Sequence, residues 1–150
     1  MFSRKTPALK PLLSLICCVG IFAVAATGCA KKDPNLAQVE GNVMVGDKPL
    51  TSGTVIFYPD ATKGNDSKDE PRGAIDANGR YHLQNGIKQG ITPGWYKVAV
   101  TAAKQLDPNN PYFTDWLIPT RYIDPKTSKL RYEVVKDPAP GQYDIKLDAK

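Results

Sequence analysis

The sequence lacks most of what catalysis or a disulfide-stabilised fold requires. Its three cysteines, Cys17, Cys18 and Cys29, all fall within the first 29 residues, so the rest of the chain must be held together by its core alone. His82 is the single histidine, which excludes a metal site built from several imidazoles of one chain. No Gly-x-Ser-x-Gly sequence frames a serine nucleophile. We therefore expect no catalytic residues, no metal and no cofactor.

A strong excess of positive charge is absent from most of the chain. The formal net charge is +5, but Arg4, Lys5 and Lys10 fall in an N-terminal segment that contains no Asp or Glu. The remainder is nearly balanced, and beyond Lys31-Lys32 it has no basic cluster of the kind that binds a polyanion. We expect no nucleic-acid partner.

The first 28 residues do contain the layout of a secretory signal. A basic start precedes an apolar run from Leu12 to Ala26, and small residues lead up to Cys29. The apolar run, about 15 residues, is short for a bilayer span, which needs about 20. Residues 1–28 are therefore predicted to be a cleaved signal peptide, with a permanent transmembrane helix as the less favoured interpretation.

Residues 26–29, Ala-Thr-Gly-Cys, resemble the bacterial lipobox, in which small residues precede a lipid-modified cysteine. Ala26 departs from it, because leucine is usual at that position. The resemblance implies lipidation of Cys29 and near-permanent anchorage in a lipid bilayer, with plain export as the alternative. Ala30 and Lys31 lack the Asp that retains some lipoproteins at the inner membrane. The outer membrane of the cell envelope is therefore the favoured location.

After Cys29, the sequence predicts a tether followed by one all-β domain. Residues 29–37 are predicted to be a short tether, since Asp33-Pro34 disfavours helix. Residues 38–150 show short alternating runs separated by Gly, Pro, Asn and Asp, without helical spacing of apolar residues. Seven predicted strands in about 110 residues favour a Greek-key β-sandwich.

The alternation also assigns faces to individual strands. Trp95 to Ala102 is the clearest strand, and its even-numbered residues are predicted to face the core. Asn78-Gly79 supplies the positive φ of a tight hairpin, after which His82 is predicted to face outward. In the first strand, Glu40 and Asn42 are predicted to face outward.

Two segments lack alternation. Residues 60–71 are almost without apolar members and are predicted to be a solvated, mobile loop. Residues 104–120 are predicted to be a long connection rich in proline and asparagine. Four aromatic residues on or just after this connection form the predicted ligand or partner site: Tyr112, Phe113, Trp116 and Tyr122. Such rings stack on sugars or fill a partner's pocket, unless the connection crosses the sandwich and buries them.

Three segments in sequence order carry a likeness to a known family. They are Val39-x-Gly41-x-Val43 with Lys48-Pro49-Leu50-x-x-Gly53-x-Val55-x-Phe57, then Gly73-x-Ile75-Asp76-x-Asn78-Gly79-x-Tyr81-x-Leu83 with Pro93-Gly94-x-Tyr96-x-Val98-x-Val100, and finally Ile118-Pro119-x-Arg121-Tyr122-x-Asp124-x-x-x-Ser128-x-Leu130. The chain resembles the transthyretin-like, or carboxypeptidase regulatory-like, lipoproteins of the planctomycete type. It departs from them at Lys136-Asp137-Pro138, where Gly followed by Asn is common. The resemblance implies a transthyretin (prealbumin)-like sandwich and an accessory module without a shared catalytic set.

The predicted function is that of a lipid-anchored, non-enzymatic module. Its partners would be the bilayer, through Cys29, and envelope proteins or polysaccharide. One alternative is an envelope hydrolase that acts on glycan or peptide through surface carboxylates. Another is a structural spacer.

Overall fold

The computed structural model describes residues 33, 35–106, 109–110 and 114–150. The predicted signal peptide, Cys29, Tyr112 and Phe113 lie outside the described residues. The described chain folds into strands and two short 3₁₀ turns, Ala61–Lys63 and Thr120–Tyr122. The predicted all-β class is confirmed. No helix in these parts of the chain has the length and apolar character needed to span a membrane.

Twelve strands are assigned in the described residues. They are β1 Glu40–Val45, β2 Lys48–Pro49, β3 Gly53–Pro59, β4 Arg72–Ile75, β5 Arg80–His82, β6 Gln84–Asn85, β7 Lys88–Gln89, β8 Gly94–Thr101, β9 Ala103–Gln105, β10 Thr114–Trp116, β11 Leu130–Val134 and β12 Ile145–Leu147. The main sheet has the order β11-β8-β3-β4-β5-β1-β12, with β2, β6 and β7 attached at its side. β9 and β10 form a separate hairpin.

The main sheet curls until its two ends meet. Its pairs are antiparallel except for β1 and β12, which run parallel. Tyr132, in β11, donates its hydroxyl to the Asp144 carbonyl at 2.9 Å, and the Val135 N–H donates to the Tyr143 hydroxyl at 3.0 Å. Residues 135–144 therefore carry the chain from one end of the strand order to the other.

The core lies inside this curl, and the predicted alternation places its residues correctly. β8 confirms the strand predicted from Trp95 to Ala102, and Tyr96, Val98 and Val100 are fully buried. β8 lies between β3 and β11. Ala99, on the other face of β8, is buried as well.

The prediction of a solvated loop over residues 60–71 is wrong for its first part. The Asp60 side chain is 1% exposed and forms ion pairs with Lys97 at 3.2 Å and Arg131 at 2.7 Å. Asn65 is buried, and its side-chain amide donates to the Trp95 carbonyl at 2.9 Å. Trp95 and Lys97 lie in β8, and Arg131 lies in β11. The segment therefore packs across two strands that are distant from it in sequence.

Two predicted boundaries also change. Ala37 is buried and exchanges two backbone hydrogen bonds of 2.8 Å with Ile91, so the folded domain begins inside the predicted tether, residues 29–37. The predicted connection over residues 104–120 contains strand β10 and pairs back on β9. The Leu117 N–H also donates to the Ala102 carbonyl at 3.0 Å, which ties the hairpin to the end of β8.

Candidate functional site

A groove of about 790 Å³ lies on the outer face of β1 and β5. Its floor carries the four polar residues Glu40, Asn42, Arg80 and His82, and residues 138–141 form one wall. Cavities that bind small ligands commonly measure about 300–1,000 Å³. We call this feature the β1–β5 groove.

The pairing of β1 with β5 fixes the floor of the groove. Glu40 lies opposite His82, and Asn42 lies opposite Arg80. Side chains at opposite positions of an antiparallel pair share a face of the sheet, so these four groups form one polar patch. The outward orientation predicted for Glu40, Asn42 and His82 is confirmed, since all three line the groove.

The segment that follows the wall is held against β1 and β5. A Cβ on Gly41 would lie 2.5 Å from the Tyr143 carbonyl oxygen, so only glycine permits this approach. Tyr81 donates its hydroxyl to the same carbonyl at 2.7 Å. One oxygen of the Asp144 carboxylate accepts hydrogen bonds from Asn42, from its backbone at 2.8 Å and its side chain at 3.1 Å. The shape of the groove is therefore held by direct contacts.

The floor presents unpaired charge of both signs. Within the described part of the chain, the side chains of Glu40, Arg80 and His82 take part in no hydrogen bond or ion pair. Such groups are available to a ligand that carries complementary charges. The arrangement suits recognition of a charged, extended partner.

A second carboxylate, Asp76, lines the groove and also closes a turn. One of its oxygens accepts from the backbone N–H groups of Asn78 at 2.8 Å and Arg80 at 2.9 Å. Gly79 has φ +82°, as the predicted hairpin requires. Asp76 thus holds the strand connection that presents Arg80 to the groove.

The most enclosed carboxylate among the described residues, Asp60, lies outside the groove. The Thr62 hydroxyl donates to it at 2.6 Å, and this hydrogen bond, with the nearby Lys97 ammonium, lowers the pKa of Asp60 below its ordinary value. A carboxylate held ionised between two cations cannot donate a proton readily. We assign Asp60 to the folding of residues 60–65.

Burial raises the pKa of five tyrosines. They are Tyr58, Tyr81, Tyr96, Tyr132 and Tyr143, and in each case removal from water is the largest cause. Loss of the phenolic proton would place a negative charge in an apolar environment, which disfavours the ionised form.

We expect the protein to lose stability as the pH rises above about 10, the ordinary tyrosine pKa. Below that pH these phenols are protonated in both states. Above it, the unfolded chain releases the protons first while the folded chain retains them, so the free energy of unfolding falls. Urea unfolding at several pH values between about 8 and about 11 measures the slope. The Tyr132→Phe variant should show a shallower slope, and an unchanged slope would contradict this account.

The structure describes two of the four residues of the predicted aromatic site, Trp116 and Tyr122. Trp116 is half-buried at the end of β10, where its carbonyl accepts from the Lys150 ammonium at 2.9 Å. Tyr122 is 5% exposed, and its hydroxyl donates to the Asp148 carboxylate at 2.8 Å. Tyr122 therefore packs in the core, where little of its surface is exposed to a partner. Tyr112 and Phe113 lie outside the described residues.

Within residues 33, 35–106, 109–110 and 114–150, no three His, Cys, Asp or Glu side chains are placed to hold a metal ion. The β1–β5 groove was not predicted as a site, although the alternation had assigned Glu40, Asn42 and His82 to an outer face. What the sequence did not indicate is that β1 and β5 are neighbours and that residues 138–141 lie beside them. Comparison with known proteins finds no matching family model, curated protein or solved structure.

Proposed function

We propose that this chain is a lipid-anchored, non-enzymatic binding module of the bacterial envelope, and that it holds a segment of a partner protein in the β1–β5 groove. The observation that carries the proposal is the unpaired Glu40 and Arg80 on one groove floor. Sequence features support the anchor: the signal-like residues 1–28 and the lipobox-like cysteine at position 29. The outer membrane is the proposed location.

The proposal extends to the fold type. We infer a Greek-key sandwich of the transthyretin-like, carboxypeptidase regulatory-like kind. The seven strands along the main path of the curled sheet support this inference, as does the family resemblance of the sequence. Domains of this kind carry their function on surfaces rather than in a shared catalytic set.

A protein segment suits the groove better than a polysaccharide. A neutral glycan offers only hydroxyl groups to a free carboxylate and a free guanidinium, whereas a polypeptide supplies side chains of both signs that form ion pairs with them. The wall adds Pro138 and Pro140, which offer rigid apolar surface to an extended chain. Charges of this kind contribute more to choosing the partner than to affinity.

Photo-crosslinking in the intact envelope tests the groove. A benzophenone amino acid at position 82 of the full-length lipoprotein is expected to give one discrete protein adduct. Arg80→Glu should reduce the adduct yield by about tenfold, because it replaces attraction by repulsion. Arg72→Glu is the matched control, since Arg72 is an exposed arginine of the neighbouring strand β4 outside the groove lining. It should retain the yield.

The remaining outcomes separate the other functions. Equal yields for the two arginine variants would overturn the groove proposal. An adduct sensitive to glycosidase but not protease would assign the groove to polysaccharide, and absence of any adduct would favour the structural spacer. Loss of binding only when Tyr112, Phe113 and Trp116 are all replaced by Ala would move the partner site to the aromatic segment.

An envelope hydrolase is a second candidate, because Glu40 and Asp76 both line the groove. A pair of carboxylates flanking one bond is what glycoside hydrolysis uses. Turnover of glycan or peptide that disappears in both Glu40→Gln and Asp76→Asn, while the adduct at position 82 persists, would favour this candidate over pure binding.

A further inference from the structure

The fully exposed Ile87 lies at the end of the sheet from which the tether leaves. β1 and β5 are antiparallel neighbours. The chain followed backward from Glu40 to Ala37 therefore runs in the same direction as the chain followed forward from β5 into β6. The N-terminal segment and the β6–β7 hairpin leave the sheet side by side.

The hairpin has an apolar tip. Ile87 is 103% exposed and follows Gly86, whose φ of +60° suits a tight turn. Ile91, two residues after β7, pairs with Ala37. The tip is therefore close in sequence to Ile91, and Ile91 pairs with Ala37, the first residue of the folded domain.

The turn itself does not require an apolar residue at its tip. Glycine provides the backbone geometry, and the Ile87 side chain contributes nothing to the core because it is fully exposed. The hairpin residues 84–89 carry a single charge, the cation Lys88, and no acid. An apolar side chain next to a cation suits the boundary between acyl chains and anionic headgroups.

The predicted anchor keeps this tip close to a bilayer. An extended chain spans at most about 3.6 Å per residue, so the segment from Cys29 to Ala37 covers at most about 29 Å. Within that distance the membrane is present at high effective concentration, and a contact too weak to act alone becomes populated.

The β9–β10 hairpin lies at the opposite end of the sheet. β8 ends at Thr101, which pairs with Thr54, and Thr54 pairs with Ala74, next to the turn at residues 76–79. β9 begins two residues after β8, so the β9–β10 hairpin lies at that far end.

We propose that Ile87 and Lys88, at the tip of the β6–β7 hairpin, dock on the bilayer that holds the lipid anchor. The domain then stands with this end on the membrane and directs the β9–β10 hairpin away from it. The inference rests on the proposed lipidation of Cys29 and assigns a second, reversible membrane contact to the same protein.

A spin label near the hairpin tests the docking. The full-length lipoprotein is placed in vesicles of phosphatidylethanolamine and phosphatidylglycerol, with a nitroxide at Gln84→Cys. This thiol is unique, because Cys17 and Cys18 leave with the signal and Cys29 carries lipid. The label should be shielded from a water-soluble relaxation agent, and Ile87→Ser should raise its accessibility to that agent by about tenfold. A label at Asp47→Cys, in the turn between β1 and β2 at the far end, should stay accessible with either residue at position 87.

Flotation of the same vesicles separates the two proposals. If the wild-type protein does not float, the lipid anchor fails and the docking inference fails with it. If it floats but the labels at positions 84 and 47 are equally accessible, docking is overturned and the anchor stands. Ile87→Ser should leave urea unfolding unchanged, since the side chain is exposed, so a changed accessibility reports the membrane contact.

Discussion

Replacing Phe57 by alanine is expected to lower the free energy of unfolding by about 4 kcal/mol. Phe57 is fully buried in β3, near the middle of the main sheet. Its ring centre lies 5.7 Å from that of Tyr96 and 6.0 Å from that of Tyr132. The substitution removes these contacts and leaves a cavity that strands on both sides cannot fill. Urea unfolding followed by circular dichroism measures the loss.

The control for Phe57→Ala is Ile87→Ala, which also removes a large apolar side chain. Because Ile87 is fully exposed, the free energy of unfolding should change by less than about 0.5 kcal/mol. Domains of this size are stable by only about 5–15 kcal/mol, so the Phe57 variant should lose a large share of its stability. Similar losses for the two variants would mean that Phe57 is not at the centre of the core.

The Gly41→Ala variant is expected to lose about 3 kcal/mol and to deform the β1–β5 groove. The new Cβ would lie 2.5 Å from the carbonyl oxygen and 2.8 Å from the carbonyl carbon of Tyr143. Both are backbone atoms, so no side-chain rotation relieves the clash. Moving Tyr143 would break the hydrogen bond from Tyr81 and strain the bonds between Asn42 and Asp144.

Gly64→Ala is the comparison for Gly41→Ala. Gly64 has φ +80° and open space where a Cβ would be added, so alanine there should cost only the left-handed backbone strain, about 1 kcal/mol. Urea unfolding of both variants measures the difference. The folded fraction of the Gly41 variant should also give less adduct at position 82. A Gly41 variant as stable as the Gly64 variant would mean that the wall does not pack on β1.

If the groove and the hairpin tip both act as proposed, the domain has three distinct working regions. Ile87 contacts the bilayer at the tether end, and the β9–β10 hairpin extends from the far end. The groove lies on the outer face between them, since its floor is built on β1 and β5, which run from one end to the other. A partner in the groove could therefore lie beside the domain without being blocked by the membrane.

Residues in regular alternation could be placed from the sequence, because period-two burial identifies a strand and the face of each residue. Tyr96, Val98 and Val100 are in the core as predicted, and Asn78-Gly79 makes the predicted hairpin turn. Outward faces follow from the same rule, so Glu40 and His82 could be assigned to the surface of their strands. The signal peptide and the lipid on Cys29 remain sequence predictions.

Which strands become neighbours was decided only by the tertiary structure. Alternation reports the face of a residue but not its partner, and β1 pairs with β12 across about a hundred residues of sequence. For the same reason, the sequence did not indicate the ion pairs of Asp60 with Lys97 and Arg131. These ion pairs hold the polar residues 60–65 against the sheet. The sequence by itself determined the all-β class, and it predicts export and a domain without disulfides. The curl of the sheet brought residues 138–141 beside β1 and β5 and so created the groove.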